Sequence, residues 1–230
     1  MHAIGRRARL TNESIGGLMK VAEVRKEIAA CLKEQLEHHG FKVKSGTGGV
    51  QYRRPIDGGR HQISISLANY EPDYVYSLVA GVRFDRLVEI DEEIDELPEP
   101  DKYRDQALSL TVDLDYFSGK RRHEFSVSSA EEIRASINEL LPVIESKIIP
   151  FLDGCRTIED YDRLVNPVDL NNPVVPEFNQ ITAVVVAKLV RNPNFNRVLE
   201  RARQAPDMQH KMHQELLDRA LQILDRIERA

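Results

Sequence analysis

Between Tyr74 and Phe84 every second residue is apolar: Tyr74, Tyr76, Leu78, Ala80, Val82 and Phe84. A strict period of two over that length demands an extended strand with one buried face and one wet face. Strands of this kind belong to an antiparallel sheet covered on a single side. The same alternation returns at Ile63, Ile65 and Leu67, and again at Leu108, Leu110, Val112, Leu114 and Tyr116. Residues 41 to 44 and 50 to 54 alternate around the glycine-rich stretch Ser45 to Gly49, as hairpin arms do.

A one-sided sheet needs helices to cover it. Residues 20 to 39 supply the first, with Val21, Val24, Ile28, Cys31, Leu32 and Leu36 at helical spacing and Gly40 where a left-handed cap is wanted. The second follows a strand bearing His123, Phe125 and Val127. Ser129 and Glu132 match a capping box, so the helix begins near Ala130 and carries Ile133, Ile137, Leu140, Leu141, Ile144 and Ile148 on one stripe. Pro142 predicts a kink and Pro150 the end. Thr157 with Asp160 caps a further short helix. Residues 166 to 176 are rich in Pro and Asn, and helical patterns resume over 180–190, 195–203 and 207–229. The expected fold is α+β, an antiparallel sheet of five or six strands packed on one face by the N-terminal helix and the long one. Its divisions are a flexible extension over 1–18, an α+β domain over 19–165, a connector over 166–177 and a helical appendix over 178–230.

Composition narrows the function classes. The longest uncharged apolar run, Ile181 to Ala187, is far shorter than the roughly 20 residues of a membrane-spanning helix, so no membrane role is expected. Two cysteines, Cys31 and Cys155, fit a reducing, cytoplasmic setting. The net charge is −5, but residues 61 to 118 hold 4 basic against 14 acidic side chains, which is no nucleic-acid footprint. No cofactor fingerprint is present; the glycines of residues 45 to 49 lack the Lys-Ser/Thr and the following helix of a phosphate cradle.

Two constellations compete as sites. Residues 89 to 101 carry eight carboxylates and no basic residue, and Glu89, Asp91, Glu92, Glu93, Asp95 and Glu96 form an acidic surface suited to a basic protein partner. Alternatively, Asp113 and Asp115 on the wet face of one strand, with Lys120 nearby, could hold a divalent metal for phosphodiester hydrolysis. Such alternating acids also serve solubility alone. His210 and His213 make half a zinc site, and no metal is expected there. Lys120, Arg121, Arg122 and His123, with Arg53, Arg54 and Arg60, form a basic patch flanked by Tyr52, Tyr70 and Tyr74, whose expected partners are the chain's own acids. The last helix has a broad apolar face that must bury in cis or against a second copy.

His39 to Lys44, Tyr52-Arg53-Arg54, Phe125 to Ser129, Ile149 to Asp153 and Thr157 to Asp160, taken in order, resemble the bacterial proteins gathered as domain of unknown function family 4304, over residues 20 to 165. Phe125 stands where that pattern has tryptophan. The resemblance implies a bacterial protein of unassigned activity, with some members near toxin-immunity gene clusters. The sequence thus leans toward a non-enzymatic, immunity-like protein that binds a basic partner through its acidic segment and exposed sheet face. The alternative is a metal-dependent nuclease or phosphodiesterase using Asp113 and Asp115.

Overall fold

The computed structural model describes residues 19–46, 49–70, 72–96, 105–167 and 179–229. The expected extension over 1–18, most of the connector, Thr47-Gly48 and the end of the acidic run lie outside the described residues. The architecture is α+β. Strands β1 (Lys42–Gly46), β2 (Gly49–Ile56), β3 (Gly59–Tyr70) and β4 (Asp73–Phe84) form an antiparallel meander. Two short strands, β5 (Leu110–Asp113) and β6 (Phe125–Val127), pair with successive parts of β4's far side.

The alternating residues behave as their period requires. Tyr52, Ile63, Ile65, Tyr76, Leu78, Ala80 and Val82 are buried on one face. Helix α1 (Val21–His38) and helix α4 (Ala130–Val143) lie against it, α1 burying Val24, Ile28, Leu32 and Leu36, α4 burying Ile133, Ile137 and Leu140. Two tyrosines end in hydrogen bonds that keep their buried hydroxyls satisfied: Tyr52 donates to the Ala29 carbonyl at 2.8 Å and Tyr76 to Ser136 Oγ at 2.7 Å. The β2–β3 hairpin turns tightly through Asp57-Gly58, with Gly58 at φ 63°. Gly59 must lack a side chain, since a Cβ there would sit 1.9 Å from the Arg83 carbonyl oxygen.

The helix starts are local and follow their caps. Ser129 Oγ accepts from the Glu132 amide, and Glu132 accepts from the amide and hydroxyl of Ser128, one residue earlier than a standard box would place it. Thr157 and Asp160 complete the reciprocal box that opens α6 (Ile158–Val165). As expected, helix α4 does not split in two at Pro142. The helix widens into a π turn over Ile144–Ile148, closed by the Ile149 amide bonding to the Ile144 carbonyl, and continues as α5 (Ile149–Asp153). Pro150 therefore does not end the helix; it falls in the first turn after the register change, where a missing donor is tolerated.

Two other expectations are corrected. The alternation from Leu108 to Tyr116 is not one strand, because β5 stops at Asp113 and α3 (Leu114–Ser118) takes over, burying Leu114 and Phe117 and leaving Tyr116 exposed. The acidic run, expected as a surface, is only partly one at its start. It forms α2 (Asp85–Asp95), which buries Leu87, Val88, Ile90 and Ile94.

The C-terminal helices pack in cis. Helix α7 (Gln180–Leu189) is buried on every side from Ile181 to Ala187, as a helix apolar all round must be, and is enclosed by α2, α6, α8 (Phe195–Gln204) and α9 (Lys211–Arg229). Helix α9 contributes Leu217, Ala220, Ile223 and Leu224 to the same core that underlies the sheet. A polar knot ties these elements: Asp162 accepts from the side-chain amides of Asn166 (2.8 Å) and Asn192 (2.6 Å), and Asn166 accepts from Arg201 at 2.6 Å.

Candidate functional site

The expected acidic surface is largely engaged within the molecule. Glu93 pairs with Arg226 and Glu96 with Arg219 at 3.3 Å, both arginines on α9, while Glu89 pairs with Arg86 at 3.0 Å. Asp91 and Glu92 are half-buried; only Asp95, of the six, is exposed without such an arginine. Burial, with the Asp95 charge beside it, pushes the Asp91 carboxyl up to about 7.

The two candidate catalytic carboxylates do not converge. Asp113 ends β5 and is exposed. Asp115 lies in the first turn of α3, and both its oxygens accept backbone N–H groups, from His123 at 2.7 Å and Arg122 at 2.5 Å. These bonds hold its carboxyl below the usual range and give it the work of a loop staple. Lys120 donates to Glu139 at 2.9 Å. Among the described residues, no three His, Cys, Asp or Glu side chains gather as metal ligands do. The rings of His210 and His213 lie tilted to each other with centroids 6.0 Å apart, and His213 Nδ1 faces the Asp207 carbonyl at 2.7 Å.

The basic patch splits between the two sides of the sheet. Arg54 faces the helices, where it bonds to His61 Nδ1 and to Asp153 at 2.8 Å and covers Phe41. Tyr52 and Tyr74 are core residues, so they offer no stacking surface; Tyr70 is exposed. Arg53 faces the other way, and the strand register shows what surrounds it. Across β1 to β5 one row reads Lys44, Gln51, Ser64, Val79, Asp113; the next reads Lys42, Arg53, Gln62, Gly81, Thr111; a third pairs Arg60 with Arg83. Every one of these is on the outer face, opposite α1 and α4.

That face is mostly polar, with Val75, Val79 and Gly81 of β4 among its apolar positions. Ser66, Thr111 and Asp113 are exposed, and Gln51, Ser64, Ser77 and Val79 are half-buried. At one end Arg53, Arg60 and Arg83 crowd together around the almost fully buried Gln62, whose Oε1 accepts from Arg53 Nε at 2.8 Å and Arg60 Nε at 3.5 Å. Asp105 lies against them. Its carboxylate accepts from Lys44 Nζ at 2.6 Å and from Arg53 Nη1 at 3.0 Å to each oxygen, while its backbone carbonyl accepts from Arg53 and Arg60. Lys44 and Arg53 hold the Asp105 carboxyl down at about 2.

No protein-family model, curated protein or solved structure matches the chain. The functional reading therefore rests on side chains alone.

Sequence reasoning found Arg53 and Arg60 but missed Arg83, Gln62 and Asp105. The usable signal was the alternation itself: Arg53, Arg60, Gln62 and Arg83 all occupy one set of alternate positions in strands whose other set is largely apolar, Arg54 and His61 being exceptions. Both cysteines are held toward the neutral thiol. Cys155 is buried, with its thiol pushed up to about 12, and Cys31 is raised by burial and by Glu27. No helix in the described residues is long and apolar enough to cross a membrane.

Proposed function

We propose that this chain acts without catalysis, by binding another protein through the outer face of its sheet. One observation carries the reading. Small polar side chains line that face on four strands, with Gln51 opposite Ser64, Ser66 opposite Ser77, and Thr111 opposite Gly81, next to a cationic cluster, while α1 and α4 pack on the opposite face. Such a face offers hydroxyl and amide groups over a rigid platform, which suits a polar protein interface better than an enclosed reaction site. Glu89 and Glu93 of α2, and Glu96 just past its end, already meet arginines in cis, so α2 is the weaker contact surface. An immunity-like role, implied by the resemblance, is one form such binding takes.

The test compares three proteins as bait in the native host's extract: the wild type, a face variant (Ser66→Arg with Thr111→Arg), and an α2 variant (Glu92, Glu93, Asp95 and Glu96 all to Gln). A stoichiometric protein retained by the wild type and the α2 variant but lost by the face variant supports the reading. Loss from the α2 variant alone moves the contact to the acidic helix and overturns it.

A further inference from the structure

We propose that Arg53, Arg60 and Lys44 form a binding site for a phosphate-class oxyanion, and that Asp105 occupies this site as an internal competitor. The proposal deepens the reading of the outer sheet face as a binding surface by naming a ligand chemistry for one end of it.

Charge supplies the first argument. Lys44, Arg53, Arg60 and Arg83 meet two carboxylates, Asp105 and Asp85, the latter 2.5 Å from Arg83 Nε. Among the described residues the cluster holds four cationic side chains against these two carboxylates, with the three arginines only 10–15% exposed. Burial and repulsion from Arg53 and Arg83 bring Arg60 down to about 10, a guanidinium under-supplied with counter-charge. A second negative charge at this point relieves that repulsion, and a phosphate dianion carries one more than a carboxylate.

Geometry supplies the second. Gln62 is 2% exposed and fixes the Nε atoms of both Arg53 and Arg60, so their terminal nitrogens converge on one place rather than sweeping freely. Asp105 fills that place imperfectly. Arg53 Nη1 and Lys44 Nζ reach its carboxylate, but Arg60 Nη1 stands 3.8 Å from Oδ1, too long for a hydrogen bond. Arg60 instead donates to the residue's backbone carbonyl. A tetrahedral anion has a third oxygen to offer the Arg60 guanidinium where the planar carboxylate has none. The occupant is also accessible: the Asp105 side chain is 49% exposed, so an external anion can compete with it from solvent.

The experiment titrates inorganic phosphate, in chloride buffer near pH 7.5, into the wild type, Asp105→Ala, and Asp105→Ala combined with Arg53→Gln and Arg60→Gln, followed by calorimetry and by thermal denaturation. Removing the internal anion is expected to tighten phosphate binding about tenfold or more over the wild type, and the arginine replacements to abolish it. A phosphoserine peptide and its unphosphorylated counterpart run beside it; preference for the phosphopeptide over free phosphate assigns the site to a phosphorylated partner, and the reverse to the free ion. Asp105→Ala with a native circular dichroism spectrum and no phosphate response overturns the proposal, as does binding that survives loss of both arginines or that favours the unphosphorylated peptide. All of this is read on the isolated protein, so it can fail while the partner contact of the sheet face stands, and the reverse.

Discussion

His61 shows how one side chain's surroundings set its chemistry. Arg54 Nε can only donate, so Nδ1 of the ring is the acceptor and the proton sits on Nε2, which donates to the Cys155 carbonyl at 2.7 Å. Burial lowers the imidazole from its ordinary value to about 4, helped by Arg54 and opposed by the Cys155 carbonyl. Between pH 6.5 and 4 the unfolded chain therefore holds a proton that the folded one refuses, and stability falls as pH drops through that window. His61→Leu is expected to cost about 2 kcal/mol near pH 7, through lost hydrogen bonds, and less as pH falls. Urea melts of both proteins at pH 7, 5.5 and 4.5 check this; a cost that stays constant with pH contradicts it. At this scale little was legible in the sequence. That Arg53 and Arg54 serve opposite faces follows from alternation, but that Arg60 meets Arg83, or that Asp105 answers Arg53, depends on strand register and on a chain segment distant in sequence.

At the scale of elements, local signals were the legible ones. The caps at Ser129 and Thr157 and the left-handed Gly40 involve neighbours within a few residues, so the sequence displays them. The misreading of Asp115 has an equally physical cause. Leu114 continues the alternation of β5, yet its burial is shared with Phe117, three residues on, and that spacing belongs to a helix. The acidic run misled in another way: between its carboxylates, Ile90 and Ile94 lie four apart, a helical face hidden by charge. Burying that face carries Asp91 inward, toward Tyr161 on α6. From about pH 4 to pH 7 the folded chain keeps a proton on Asp91 that the unfolded chain releases, so this group's contribution weakens as pH rises. Asp91→Asn is expected to stabilise by about 1–3 kcal/mol at pH 8 and by almost nothing at pH 4. Thermal melts at the two pH values test it, and equal shifts at both would refute the assignment.

Over the whole molecule, apolar burial outweighs surface charge. Helix α9 touches α2 through both: Leu224 is buried, whereas the Arg226 and Glu93 side chains are largely exposed. Leu224→Ala is expected to cost about 2–5 kcal/mol, and Arg226→Ala less than about 1 kcal/mol, because an exposed ion pair is screened and costs side-chain entropy to hold. Denaturant titrations of the two variants decide; a larger loss for Arg226→Ala would make charge the tether. The sequence made clear that the last helices carry an apolar stripe, but whether it met this chain or another was a matter of long-range contact and could not be read locally. The cis docking has a consequence for biosynthesis. Helix α2 leaves the ribosome well before α7 and α9, the helices that cover Leu87, Ile90 and Ile94. Until those arrive, a half-made chain displays a bare greasy surface beside a finished sheet, and closing so long a loop is slow. A stalled or truncated message for this protein would thus release a sticky fragment, one that the cell's chaperones and proteases must recognise.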